Sequence, residues 1–504
     1  MTAVSTVDPA DGRRRDTGLH ETTERELAAV AAAAAASSDW LTGIGRSGRA
    51  GLMDAVAAAL ESRRDDLVAT AVSETGLGHD RLDSELTRAA HQFRMFADVL
   101  RDGGYLEATI DHAAETPLGP APDVRRMLVA LGPVAVFGAS NFPFAFSVAG
   151  GDTAAALAAG CPVVVKAHPS HPLTSQLSAE AITAAVRACG GPDGVLGIVY
   201  GQEAGLALVR HPAVRAAALT GSLGAARAIQ AAIDERADPI PFYGELSSVN
   251  PIVILPGAAA ERGDEIASGL FSSFTGSAGQ LCTKPGLAFV PSGSAGDHLV
   301  DELRGRVAAA GGAVLLNERI RDAFVAREAA LVRAGTRLLA RPGVPPQAGF
   351  RVAPALLEIG IAQLSEQIAE ECFGPLLIVV RYDDTAELDA ALAVVPPSLT
   401  GSLHAVERDD PSTVRRLVDL FAARSGRIVF DGYPTGVRVS WAQHHGGPWP
   451  ATNTVHTSVG ATSIRRFLRP LAWQNAADWI LPEELRDGFT GIPRRVDGQW
   501  KAAR

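Results

Sequence analysis

Cys282 stands in the run Gly276-Ser-Ala-Gly-Gln-Leu-Cys-Thr-Lys-Pro285. A cysteine thiolate is the strongest common side-chain nucleophile, and the small residues before it leave room for a ligand. Alone, a cysteine is more often a buried packing residue. Cys161, before Pro162, and Cys189, before Gly190-Gly191, fit that role. Glu245, in Gly244-Glu245-Leu246, follows an apolar stretch and has the chemistry of a general base. Asn141, in Asn141-Phe142-Pro143, carries an amide able to donate to an oxyanion, although a turn or cap is its plainer use. Lys166 closes the apolar run Val163-Val-Val, where a nucleotide sits beyond the strands of an open α/β sheet. Gly221 and Ser222 open a helical stretch whose first N–H groups favour a phosphate, although GxGxxG is absent. Metal chemistry is not expected: His168 and His171 bracket Pro169, His444 and His445 are adjacent, and no HExxH or cysteine cluster occurs.

The elements that must position these residues alternate. Residues 22–100 have apolar positions at helical spacing, broken by Gly103-Gly104. Residues 105–123 mix alternation with prolines and read as a protruding hairpin or loop. Strands are expected at 127–131, 134–137, 163–166, 197–200 and 215–219, and helices at 151–159, 174–188, 203–210 and 224–234. Such βαβ succession predicts a doubly wound parallel sheet. A second α/β region, about 251–430, has strands expected at 286–290, 376–380, 401–405 and 427–430. The tail from Ser440 is rich in His, Gly, Pro and Trp and is not a linker.

The chain has 504 residues, 47% hydrophobic and 20% charged, which excludes global disorder. Its 46 basic against 56 acidic residues give −10, which argues against nucleic acid and anionic membranes as partners. Four scattered cysteines without CxxC suit a reducing compartment. No apolar run reaches the roughly 18–20 residues of a membrane helix. Arg13-Arg14-Arg15 is followed by Asp16 and no apolar core, unlike a secretory signal. A cytoplasmic protein with a mobile arm over 1–20 is expected.

The order Asn141-Phe-Pro143, Lys166, Thr220-Gly-Ser222, Gly244-Glu-Leu246, Gly279-Gln-Leu-Cys282 and Glu371-Cys-Phe-Gly-Pro375 resembles the aldehyde dehydrogenase superfamily. The spacing of Glu245 and Cys282, 282 − 245 = 37, is similar too. Phe137-Gly-Ala-Ser-Asn-Phe-Pro143, Val165-Lys-Ala-His-Pro169, Tyr433-Pro-Thr-Gly-Val437, His445-Gly-Gly-Pro448 and Arg465-Arg-Phe-Leu-Arg-Pro470 resemble one branch, the α-ketoglutaric semialdehyde (2,5-dioxovalerate) dehydrogenases. That branch is similar to NADP-dependent long-chain aldehyde dehydrogenases.

The resemblance implies a cofactor domain at 21–104 and 124–250, a catalytic domain at 251–439, and an oligomerisation element at 105–123 and 440–504. It implies Cys282 as nucleophile, Asn141 and the Cys282 N–H as oxyanion donors, and Glu245 as the base that activates water. Lys166 and Ser222, with Gly221, would hold the adenosine ribose and phosphate; Glu371 and Phe373 would hold the nicotinamide ribose. Where NAD-preferring members often carry a glutamate, this chain has Pro169, so NADP is expected as the preferred cofactor, with His168 as a further contact and NAD as a second, weaker acceptor. Phe142 and Arg438 would contact substrate, Arg438 as the anchor of a distal carboxylate. The implied reaction is oxidation of 2,5-dioxovalerate to 2-oxoglutarate by a homodimer or homotetramer. A fatty-aldehyde dehydrogenase is the alternative. A CoA-acylating enzyme needs no water-activating base, so Glu245 argues against it.

Overall fold

The run Val163–Lys166 is apolar to its last residue and buried through Val165, as befits a strand covered on both faces. In the computed structural model, which describes residues 2–343 and 348–504, it is one of five parallel strands. Their order is Phe242–Glu245, Ala216–Thr220, Val134–Phe137, Val163–Lys166, Leu196–Val199. The chain runs outward from Val134–Phe137 on one side, then returns to Ala216–Thr220 on the other. The sheet therefore has its switch point between these two strands, and a crevice opens beyond their carboxyl ends. Helices Gly151–Ala159, Pro172–Ala188, Gln202–Arg210 and Leu223–Asp234 make the connections. The expected elements 134–137, 151–159 and 163–166 occur at those bounds.

A second sheet has seven strands, in the order Arg337–Ala340, Ala355–Gly360, Leu376–Tyr382, Leu287–Pro291, Ile252–Ile254, Ser398–His404, Ser425–Phe430. Only the edge strand Arg337–Ala340 runs antiparallel to its neighbour. Met1 and residues 344–347, the latter within the expected catalytic domain, lie outside the described residues. The helical region 22–100 comprises Glu24–Gly43, Gly45–Ser62, Arg64–Thr75 and His79–Asp102. Thr23 and Glu26 form a capping box at its start. Among the described residues, no single helix is long and apolar enough to cross a membrane.

The structure corrects two sequence expectations. Residues 2–20, the described part of the expected mobile arm 1–20, are ordered: Ala3–Val7 pairs antiparallel with Arg14–His20, Thr6 is buried, and the Pro9 carbonyl accepts from Phe350 N at 2.8 Å. The charged Arg13-Arg14-Arg15-Asp16 run hid a strand that faces solvent on one side. The apolar run 127–131 does not belong to the cofactor sheet. It lies largely in Val124–Ala130, which pairs with Leu468–Gln474 and Thr109–Asp111 in a separate five-stranded sheet. Sequence alone cannot tell a strand covered by helices from one half-covered on an outer sheet. Arg494–Val496 and Gln499–Lys501 complete that sheet, beside the small hairpin Ala114–Thr116/Gly119–Ala121.

Candidate active site

Glu245 ends its strand at the mouth of the crevice and is 2% exposed. A carboxylate so buried needs donors. Three groups supply them: His445 Nε2 lies 2.9 Å from Oε1, the Ser458 hydroxyl donates to Oε2, and the Cys282 thiol is the third. Burial pushes its carboxyl up. The neighbouring His445 and hydrogen bonds from His445, Ser458 and Cys282 outweigh that, and hold it below the usual carboxylate range. His445 Nε2 also lies 3.5 Å from Cys282 Sγ. We assign the ring proton to Nε2, since a bare lone pair there would face the carboxylate.

The donor atoms of Glu245, Cys282 and His445 lie within 4.8 Å of one another. Donors sharing a zinc ion at ~2.0–2.1 Å would stand about 3.3 Å apart. The 2.9 Å contact between His445 and Glu245 is hydrogen-bond geometry instead.

Cys282 is half-buried and follows the turn Gly276–Gly279. Burial pushes its thiol well above the ordinary range, and the Glu245 charge pushes it further. The resting group is therefore a thiol hydrogen-bonded to a charged carboxylate. Two devices fix the loop. Gly279 has φ +67°, and a Cβ there would lie 2.3 Å from the Gly374 backbone, so the Cys282 loop docks on the Phe373-Gly374-Pro375 loop. Asn250, fully buried with φ 54°, donates to the Cys282 and Lys284 carbonyls at 2.9 and 3.0 Å. Its own oxygen accepts from Ser248 and Thr400.

Asn141 lies beyond strand Val134–Phe137, at the switch point, and its amide donates to the Gln280 carbonyl at 2.9 Å. Gln280 comes two residues before Cys282, and the amide has a second N–H to offer. Arg81 ties the layers together. It donates to the Asn141 carbonyl at 2.7 Å, to Ser277 Oγ at 2.8 Å and to Glu85 at 2.6 Å. Glu85, buried, also accepts from the Phe144 and Ala145 N–H groups. The half-buried Phe142 packs on Phe146, with ring centroids 5.1 Å apart.

The nucleotide candidates lie along the crevice. Lys166 ends its strand; burial, then the charge of Arg319, lowers it to about 8. Its ammonium is still charged at neutral pH. Ser222 caps the helix Leu223–Asp234, with its oxygen accepting from Ala225 N at 3.3 Å, and the remaining first-turn N–H groups face outward. Burial pushes the Glu371 carboxyl up to about 7, against Lys284 and hydrogen bonds from Ser247 and the Ser248 backbone. Phe373 is half-buried beside it. This arc of an ammonium, a helix N-terminus and a carboxyl suits the ribose and phosphate groups of a dinucleotide.

Two expectations change. His168 is neutral, because burial and the neighbouring His171, Lys166 and Arg319 hold its pKa well below the ordinary value. It cannot attract a phosphate by charge. Arg438 is exposed, while its neighbours Val437 and Val439 pack toward Phe142 and Phe146. Arg438 is exposed to solvent between two inward valines, so it is not among the residues gathered around Cys282. Sequence reasoning missed His445, Ser458, Asn250, Arg81 and Glu85. Only His445 carried a signal: the adjacent histidines argue against a metal and His445-Gly-Gly-Pro448 resembles a branch motif, and neither reading gives the ring a proton role.

The aldehyde dehydrogenase family model matches residues 1–446. The α-ketoglutaric semialdehyde dehydrogenase 2 of Azospirillum brasilense is 44% identical over 90% of this chain and 87% of its own length. The α-ketoglutaric semialdehyde dehydrogenase of Acinetobacter baylyi is 41% identical over 89% and 86%. Among solved structures, proline utilization A of Bradyrhizobium japonicum matches with TM-score 0.77 at 25% identity over 90% of this chain, which spans about half, 46%, of that longer protein.

Proposed function

We propose that this chain, which belongs to the aldehyde dehydrogenase family, oxidises 2,5-dioxovalerate to 2-oxoglutarate with NADP through a thioester on Cys282. The observation that carries the chemistry is the contact set of Glu245, His445 and Cys282. The relatives named for that aldehyde carry the substrate. Cys282 gives its proton to Glu245, and the thiolate adds to the aldehyde carbon. The Asn141 amide and the Cys282 N–H hold the oxyanion of the thiohemiacetal. A nicotinamide dinucleotide, when bound, supplies the hydride acceptor. Cys282 then holds the acyl group, and Glu245, freed of its proton, takes one from the water that releases the acid. A base kept ionised by its neighbours supports water, rather than CoA, as the acyl acceptor.

Lys166 and the nearby Arg319 support NADP: two cations suit a 2′-phosphate, and Pro169 leaves no carboxylate to repel it. The test is kcat/KM for 2,5-dioxovalerate and octanal, each with NADP and NAD. The highest value is expected for the dioxo acid with NADP. Preference for octanal would move the protein to the fatty-aldehyde branch, and product formed only with added CoA would overturn hydrolysis.

Glu371, on the nicotinamide ribose, gives a pH dependence. Its carboxyl is neutral below about 7 and charged above it. The charged form accepts ribose hydroxyls better. Dinucleotide Kd, read by calorimetry, is expected to fall between pH 6 and 8, and Glu371→Gln is expected to flatten that trend.

A homodimer or homotetramer uses the outer five-stranded sheet and hairpin, where Leu118 and Trp500 are exposed, with the exposed Trp479 from the same tail. The free thiols Cys161, Cys189, Cys282 and Cys372 support a cytoplasmic location.

A further inference from the structure

Arg88 lies on the helix His79–Asp102, with its guanidinium carbon 5.2 Å from the Phe146 ring centroid and 5.8 Å from that of Phe142. Its Nε and one terminal nitrogen are sealed from solvent and have no hydrogen-bond partner among the described residues. A guanidinium in that state is costly, and buried polar groups left open commonly mark a place where something else binds. The neighbouring acid is not available. Glu85, one turn earlier, already accepts from Arg81, Phe144 and Ala145. Other cations near the site are committed or turned away: Arg427 donates to the Pro434 and Gly436 carbonyls, and Arg438 is exposed.

Arg88 is also near the chemistry. Burial lowers its pKa, and the thiolate form of Cys282 and the carboxylates of Glu85 and Glu245 oppose that shift. The two rings that Arg88 overlies, Phe142 and Phe146, pack with Val437, Val439 and Val459. An apolar wall ending in an unpaired guanidinium fits a short carbon chain that ends in an anion. Resting on the aldehyde-oxidising function proposed above, we infer that Arg88 is the substrate-specificity residue, binding the distal carboxylate of the aldehyde while Phe142 and Phe146 flank its chain. An arginine fork matches a carboxylate with two parallel hydrogen bonds.

The test compares 2,5-dioxovalerate with pentanal, an aldehyde of the same chain length without the anion, in wild type, Arg88→Met and Arg88→Lys. In Arg88→Met, kcat/KM for the dioxo acid is expected to fall about 100-fold, mainly through KM, as for loss of a charged hydrogen-bonded pair. The value for pentanal is expected to fall far less, and lysine to restore part of the loss. In a binding readout, 2-oxoglutarate should raise the melting midpoint of wild type but not of Arg88→Met. The variant removes an unpaired buried charge, so its own midpoint should hold or rise.

Equal losses for both aldehydes, together with a shifted pH profile for Cys282 alkylation, would make Arg88 a stabiliser of the thiolate and overturn the anchor. Retained preference for the dioxo acid in Arg88→Met would overturn the anchor and leave the substrate standing. A wild-type enzyme that prefers pentanal would overturn both.

Discussion

Glu245→Gln is expected to lower kcat by about 10²–10⁴-fold, the usual contribution of a positioned general base, while making Cys282 more reactive to iodoacetamide. The two effects have opposite signs for one reason. Burial first, then the charge and hydrogen bond of Glu245, hold the thiol well above its ordinary range. Replacing the carboxylate with an amide removes the second and third causes, so the thiol pKa falls and more thiolate exists at a given pH. Alkylation, which needs only thiolate, speeds up. Turnover, which needs a proton acceptor for the thiol and again for water, slows. In wild type, alkylation should be slow near pH 7 and climb throughout the alkaline range. Glu245 itself stays charged to below its ordinary range, so its titration should leave the rate unchanged near neutrality. A glutamate that only supported the fold would change both rates in the same direction.

Asn250→Ala carries the largest expected cost in stability. The side chain is fully buried and makes four hydrogen bonds, to the Cys282 and Lys284 carbonyls and from the Ser248 and Thr400 hydroxyls. Each abandoned partner costs about 1–3 kcal/mol when no water reaches it. Partial relaxation brings the expected total to about 4 kcal/mol. Alanine also has to adopt φ 54°, which asparagine tolerates better. The measurement is chemical denaturation with kcat recorded on the same samples below the transition. The midpoint should fall, and the folded fraction should also lose activity, because the loop that holds Cys282 has lost its tether. Unchanged activity per folded molecule would mean that the turn Gly276–Gly279 and its docking on Gly374 set the loop by themselves.

The residues proposed to hold substrate, cofactor or reacting atoms were legible because their types and order are fixed by chemistry at strand ends. Glu245 ends one strand, Lys166 another, and Asn141 follows a third, where an open sheet places its ligands. The residues that position them were not legible. Arg81, Glu85 and Arg88 sit in a long amphipathic helix, and nothing in a helical repeat separates an arginine that faces water from one that faces a crevice. His445 comes 163 residues after Cys282 in sequence, yet its Nε2 lies 3.5 Å from the sulfur. Only the folded return of the tail, with Ser458 beside it, makes that contact. Strand Val124–Ala130 shows the same limit: its composition suits either sheet, and only its partner Leu468–Gln474 decides.

The most direct test mixes Glu245→Gln with 2,5-dioxovalerate and NADP in a single-turnover experiment, follows absorbance of the reduced dinucleotide, and takes the mass of the quenched protein. One equivalent of reduced dinucleotide should form in a burst, and the peptide containing Cys282 should carry the acyl group as a slowly hydrolysed thioester. Reduced dinucleotide without any acyl mass on Cys282, or full steady turnover in this variant, would contradict covalent oxidation at Cys282 with Glu245 as the hydrolytic base.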